Sequence, residues 1–275
     1  MELLQALMLG IVQGLTEFLP VSSTGHLLLA EWVMGLDTER FGLPFDAALH
    51  LGTLGGVLAV FWRDFLEMAR GLLAGVRGKA VAGNPAARQA LALVLGTVPA
   101  VLAGLLLEQT IETTLRSPLV VAAMLALFGG VLLWVERAGG QRRPLGDLRW
   151  RDALLIGSAQ ALALVPGVSR SGVTIAAGMA LGLRRDASAR FTFLLSAPIV
   201  AGAGSKQLLD VVQETGLGSL DVLAVGMVSA GVVGYLVIRF LLRFLAAHPL
   251  DIFAFYRFVL AAAVAVAFFA FGTQG

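Results

Sequence analysis

The 275-residue chain has no cysteine and little charge: Asp, Glu, Lys and Arg together make up 14% of it. The first absence excludes disulfides, thiolate metal sites and thiol chemistry. The second is well under the roughly 25% that soluble domains carry. What fills the space is apolar, with 58% hydrophobic residues and several runs about 20 residues long, enough to cross a bilayer core as helix. A polytopic helical membrane protein follows, and a soluble enzyme is excluded. The formal charge of +2 says little, because its distribution matters more than its sum. The N-terminal MELLQALMLG has no basic segment and carries Glu2, so it is expected to belong to the mature protein rather than to a cleaved signal. No Walker-type loop, zinc spacing or nucleic-acid-binding face is present.

Candidate spans fall at about 45–63, 89–107, 118–136, 191–209, 222–242 and 252–271. Two further stretches, 2–36 and 152–183, are each split into short apolar halves by a polar, Pro- and Gly-containing break. A half of about 14 residues reaches about 21 Å as helix, short of the roughly 30 Å core. Both stretches therefore read as re-entrant helix–loop–helix hairpins, whose loops at membrane depth must be buried in protein or line a polar cavity.

Charge supports this count. The segments with Arg63, Arg70, Arg77, Lys79 and Arg88, with Arg137, Arg142, Arg143, Arg149 and Arg151, with Arg184, Arg185 and Arg190, and with Arg239 and Arg243 fall on one side only if both hairpins return to the side they left. The intervening loops carry Asp37, Glu39, Glu108, Glu112, Asp210, Glu214 and Asp221. The basic side is expected to be cytoplasmic, which leaves both termini outside.

The chain also repeats itself. Gly10 and Gly157, Gln13 and Gln160, Leu15 and Leu162, Val21 and Val168, Ser22 and Ser169, Gly25 and Gly172, Ala30 and Ala177, Gly35 and Gly182, and Leu36 and Leu183 are all 147 positions apart. Three spans separate the copies, and an odd number inverts the second. The expected fold is therefore an all-α polytopic membrane protein of one domain, 1–275, with six transmembrane helices and two re-entrant hairpins in an inverted-topology repeat. The copies cover about 1–136 and about 150–275, and their loop tips touch near the midplane.

The chemistry concentrates in those tips. Gln13 and Glu17 are four apart and share one helix face. A carboxylate at membrane depth costs roughly 2.5–3.5 kcal/mol and is by default functional, the alternative being a solvated interfacial residue. Ser22, Ser23 and Thr24, followed by Gly25, look like a helix N-terminus, where free N–H groups and the dipole favour an anion. One hydroxyl suffices as a cap, and three point to phosphate binding or attack. His26, one turn after Ser23, is a candidate general base or acid, whereas His50 and His248 read as structural. Arg170, at the repeat position of Ser23 and flanked by Ser169 and Ser171 before Gly172, offers a planar fork for phosphate oxygens or an ion pair for Glu17. Trp62–Arg63, Trp134 with Arg137, and Trp150–Arg151 read as interface anchors, and Arg257 as a residue that snorkels to the surface.

With Gln13, Glu17, LPVSSTGH at 19–26, LVPGVSRSG at 164–172 and FTFLLSAPI at 191–199, the chain resembles, over its whole length, the bacterial undecaprenyl-diphosphate phosphatase family of the bacitracin-resistance type. The resemblance implies a hydrolase of the cytoplasmic (inner) membrane that removes the terminal phosphate of a polyprenyl diphosphate. It thereby recycles the carrier for peptidoglycan and envelope polymers and confers bacitracin resistance. It also implies a divalent cation, Mg²⁺ or Ca²⁺, and an active site facing the periplasm. By motif, Glu17, Ser23, His26 and Arg170 are the catalytic candidates and Glu17 the metal ligand; Gln13, Ser22, Thr24, Gly25, Ser169, Ser171 and Gly172 are the substrate-binding candidates. Gln13 stands where many relatives have glutamate, which removes one negative ligand and leaves Glu17 with most of the coordination.

Two mechanisms stay open: attack by a loop serine, Ser23, to give a phosphoenzyme, or attack by a metal-bound water with His26 as base. The polyprenyl tail is expected in a lateral groove open to the bilayer. A homo-oligomer is compatible with the sequence, which does not fix one. The rival is a secondary transporter or lipid-carrier flippase built on the same repeat, with Glu17 and Arg170 as a gating pair; it would gain little from three hydroxyls beside a histidine.

Overall fold

The computed structural model describes residues 1–36, 41, 43–76, 83–114, 117–215 and 220–271. The apolar runs fold as helices because a backbone in hydrocarbon must satisfy its own hydrogen bonds. In chain order they are α1 (Glu2–Thr16), α2 (Ser23–Met34), α3 (Leu43–Val76), α4 (Pro85–Thr114), α5 (Pro118–Ala138), α6 (Trp150–Ala161), α7 (Arg170–Ala180), α8 (Arg185–Thr215), α9 (Leu220–Ala247) and α10 (Asp251–Phe271). No β-strand occurs among the described residues.

Among the described residues, six helices carry stretches long and apolar enough to cross a membrane: Phe45–Gly75, Pro85–Leu107, Pro118–Ala138, Arg185–Lys206, Leu220–Ala247 and Asp251–Ala270. They coincide with the six expected spans, so the chain is an all-α, multi-pass membrane protein. Of the charges used to orient it, Asp37, Glu39, Arg77 and Lys79 lie outside the described residues, as do the side chains of Glu108, Glu112, Asp210 and Glu214.

The other four helices are short, at 15, 12, 12 and 11 residues for α1, α2, α6 and α7. They form two pairs, each broken by a loop, and the pairs match in detail. α2 begins at Ser23 and α7 at Arg170, 147 positions on. The residues just before them, Ser22 and Ser169, adopt φ of 73° and 72°. A non-glycine residue in that region is uncommon, so its recurrence at matched positions shows that the two breaks share one turn.

The first helix of each pair is held by a close approach. A Cβ added to Gly10 would lie 1.8 Å from Ser229 Oγ on α9, and one added to Gly157 would lie 2.0 Å from Gly96 O on α4. Only glycine lets these backbones meet. Beneath the loops the core is aromatic: Phe18, one residue past Glu17, meets Phe193 edge to face at 5.5 Å. Both rings are fully buried, which sets FTFLLSAPI as the floor on which the first loop rests. Arg63 and Arg151 lie over the neighbouring Trp62 and Trp150 rings, each at 5.1 Å, in exposed positions. At the α5–α6 connection, Arg143 donates to Leu181 O at 2.8 Å and to Asp152 at 2.6 Å, fixing α6 against the end of α7.

Candidate active site

α1 ends where Glu17 N–H donates to Gln13 O at 2.9 Å. That last turn aims the Glu17 carboxylate inward, with the side chain only 5% exposed. Its Oε2 accepts hydrogen bonds from Gln13 Nε2 at 3.0 Å and from Ser23 Oγ at 2.8 Å. Its Oε1 pairs with Arg170, which reaches across from the second loop. Arg170 is the first residue of α7, an unfavourable place for a cation because the helix dipole is positive there. The carboxylate compensates it, and removing either partner of such a buried pair typically costs about 3–5 kcal/mol.

The loops also meet through backbone. Ser171 Oγ donates to Leu19 O at 2.9 Å and lies 3.2 Å from Ser169 Oγ, while Ser169 Oγ caps α7 by accepting from Gly172 N at 3.2 Å. Ser169, Ser171 and Gly172 thus form the joint between the loops. In the first loop Ser22 is buried, Ser23 half-buried and Thr24 exposed. Gly25 is buried and faces Val121, Leu125 and Leu260 at ordinary contact distances. His26 stands to one side: its Nδ1–H donates to Ser22 O at 2.7 Å, and its Nε2 lies 2.7 Å from the Tyr256 hydroxyl, with the rings stacked.

The structure brings three further residues to the loops. Arg257 does not snorkel: it is 0% exposed, because loop carbonyls at depth are better partners than distant water. It donates to Pro20 O of the first loop, to Gly167 O and Val168 O of the second, and to Met124 O and Leu125 O of α5. An arginine inside the apolar run FAFYRFVLAAA was itself the signal, since an intramembrane charge needs partners. His50, read as structural, places Nε2 3.5 Å from Glu17 Oε2. It belongs to no motif, and only the packing of α3 brings it to the loop. Tyr256, which precedes Arg257 on α10, was not singled out at all, and its hydroxyl lies 2.7 Å from His26 Nε2.

The donors present fit a divalent cation. Gln13 Oε1 is buried and receives no hydrogen bond from the described residues, one turn from a carboxylate. An orphaned carbonyl oxygen beside Glu17 suits a hard cation. No group of three or more His, Cys, Asp or Glu forms among the described residues, so water and phosphate oxygens would fill the remaining positions.

The chain is also similar to known proteins over nearly its whole length. Residues 6–263 match the family model described as bacitracin resistance protein BacA. The chain is 52% identical over 267 residues to the undecaprenyl-diphosphatase of Rubrobacter xylanophilus, covering 96% of this chain and 98% of that one. It is 47% identical to the undecaprenyl-diphosphatase of Desulforudis audaxviator (95% and 96% covered) and 42% identical to that of Moorella thermoacetica (98% of each).

Proposed function

Because the chain belongs to the bacitracin resistance protein BacA family, we propose that it hydrolyses undecaprenyl diphosphate to undecaprenyl phosphate and inorganic phosphate. The observation that carries the residue assignment is the junction of the loops, where Ser23 donates to the same carboxylate that Arg170 pairs with. Phosphoryl transfer is mostly positioning and charge stabilisation, and these residues supply both. Arg170 turns its fork from Glu17 to the terminal phosphate. Ser23 Oγ attacks phosphorus as its proton passes to Glu17 Oε2, and the phosphoanhydride bond to the lipid monophosphate breaks. Water then releases phosphate from the serine. This order is favoured over His26-assisted attack by water because both ring nitrogens of His26 are already engaged, by Ser22 O and Tyr256. His26 with Tyr256 instead props the turn that carries Ser22. A Mg²⁺ or Ca²⁺ held by Glu17 and Gln13 Oε1 would neutralise phosphate charge.

The two short helix pairs are read as re-entrant hairpins of an inverted repeat in the bacterial cytoplasmic membrane, with the termini outside and the site open to the periplasm. Their matched φ angles, helix starts and glycine contacts support the repeat. The polyprenyl tail lies along the lipid-facing helix surface.

Phosphate release from a polyprenyl diphosphate by detergent-purified protein tests the assignment. Wild type should turn over, and Glu17→Ala and Arg170→Ala should lose activity at least about 100-fold while still eluting as folded protein. Turnover by both variants within threefold of wild type would remove the loop junction from the chemistry. Transport alone, which needs a sealed compartment, would release nothing.

A further inference from the structure

We propose that the C-terminal end of α9 carries a binding site for one anionic glycerophospholipid. Arg239 and Arg243 hold its phosphate, and an acyl chain follows the exposed stripe Val228, Val232, Leu236 and Phe240. The site lies outside the loop junction and does not depend on how the reaction proceeds.

The last turns of α9 reach the membrane surface, because its spanning stretch ends at Ala247. A depression of about 510 Å³ lies there, lined by Leu236, Arg239, Phe240, Arg243, Phe244 and His248. Two neighbouring stripes of the helix build it. Phe240 stacks on Phe244 at 5.6 Å and Phe244 on His248 at 4.5 Å, which makes a floor of three rings. Arg239 and Arg243 form the edge, one turn apart. Side chains at that spacing stand about 5–6 Å from each other at Cβ, so both guanidinium forks reach a single phosphate.

Nothing in the protein neutralises this pair. No carboxylate lines the depression. The acids beside the α9–α10 turn are committed elsewhere: Glu136 pairs with Arg185 and accepts from Leu250 N, and Asp251 interacts with Arg185. None of the ion pairs among the described residues includes Arg239 or Arg243. Arg239 donates to the Tyr235 hydroxyl at 2.8 Å, which leaves that hydroxyl's own hydrogen for another acceptor. Like charges four apart on a helix repel, and an anion bridging them removes the cost.

The stripe below the arginines makes the occupant a lipid. Val228, Val232, Leu236 and Phe240 are spaced one turn apart, and each is more than half exposed. At about 1.5 Å per residue they cover about 18 Å, close to one leaflet of the roughly 30 Å hydrocarbon core. An acyl chain laid along them therefore ends with its phosphate at Arg239 and Arg243. Basic pockets at the membrane surface recognise anionic head groups, whereas a zwitterionic head group would bring its own cation toward the two arginines.

Native mass spectrometry of full-length, delipidated protein in detergent tests this, with phosphatidylglycerol, phosphatidylcholine and inorganic phosphate as probes. Wild type should take up one phosphatidylglycerol at least about tenfold more tightly than phosphatidylcholine. Each arginine lost should weaken phosphatidylglycerol about fivefold, so Arg239→Gln with Arg243→Gln should weaken it about 25-fold. The double lysine variant keeps both charges and should retain most of the binding, which separates lost charge from lost fold. Arg151→Gln, which removes an exposed cation beside Trp150, should bind as wild type does. Equal uptake of the two lipids, equal loss in Arg151→Gln, or unchanged binding in the double glutamine variant would overturn the site in favour of diffuse attraction. Displacement of phosphatidylglycerol by inorganic phosphate at comparable concentration would overturn the lipid, leaving a site for a free anion.

Discussion

Arg257→Met is the most informative single change, because no other buried cation among the described residues donates to the backbone of both loops. Methionine keeps much of the side-chain volume and removes every donor. Pro20 O, Gly167 O and Val168 O, all at the tips of the loops, then lose the guanidinium that holds them. A buried acceptor left without a donor costs about 1–3 kcal/mol, so three of them cost about 3–9 kcal/mol before any relaxation. Part of this is offset because the variant no longer buries a charge. Met124 O and Leu125 O belong to α5 and keep their helical environment, so they add little. If the remaining cost of about 3 kcal/mol falls on the docking of one loop against the other, the competent fraction drops by about 100-fold, since about 1.4 kcal/mol is tenfold. Phosphate release at saturating lipid should therefore fall by about two orders of magnitude, with a lowered melting temperature in detergent. Arg257→Lys should recover only part of the activity, because an ammonium cannot span carbonyls from both loops. Wild-type turnover and melting in Arg257→Met would refute the claim that this residue holds the loops together.

Other outcomes follow from the same geometry. Ser23→Ala should abolish turnover by at least about 100-fold and leave no acid-stable radiolabelled phosphoprotein after quenching with labelled lipid; more than a tenth of wild-type activity would point to water as the nucleophile. Chelation with EDTA should stop phosphate release and added Mg²⁺ or Ca²⁺ should restore it, and activity unchanged in excess chelator would remove the cation from the reaction. Gly157→Ala should destabilise the protein by about 3 kcal/mol or more, because its Cβ would lie 2.0 Å from Gly96 O, whereas Gly55→Ala, with nothing within 4 Å, should be neutral in the same thermal assay.

The spans were legible because hydrocarbon imposes a length and forbids unpaired backbone, so a run such as Pro118–Ala138 has one economical reading. The meeting of Gln13, Glu17, Ser23 and Arg170 was legible for the converse reason: polar side chains in such a chain need a cause, and the 147-residue offset says which loops they share. His50 was not, since nothing in FDAALHLGT distinguishes a histidine facing Glu17 from one facing lipid; the rotation of α3 about its axis decides that, and it is set by packing against α8 and α9. Arg257 was misassigned by proximity to the membrane surface. Its five carbonyl partners come from three separate segments, and no local pattern encodes such a convergence.

The two matched turns share backbone and not chemistry, and this asymmetry bears on how ligands bind. Ser22 and Ser169 hold the same backbone angle, yet the matched positions after them are Ser23 and Arg170, which meet opposite oxygens of Glu17, and the position matching Glu17 is Leu164. Two identical loops would oppose like charges at their meeting point. The present pair opposes a carboxylate to a guanidinium, and each neutralises the other in a place where a lone charge is costly. A diphosphate arriving alone would draw Arg170 away and strand Glu17; a divalent cation arriving alone would occupy Glu17 and strand Arg170. Arriving together, each takes the partner the other vacates. Lipid and cation should therefore bind with positive cooperativity, each raising the affinity of the other by the same factor, as linkage requires. Glu17→Gln should abolish that coupling even where it leaves some lipid binding, because a neutral amide has no charge to exchange. Lipid affinity that is the same with and without cation in the wild type would show that the ion pair stays closed and that phosphate is held elsewhere.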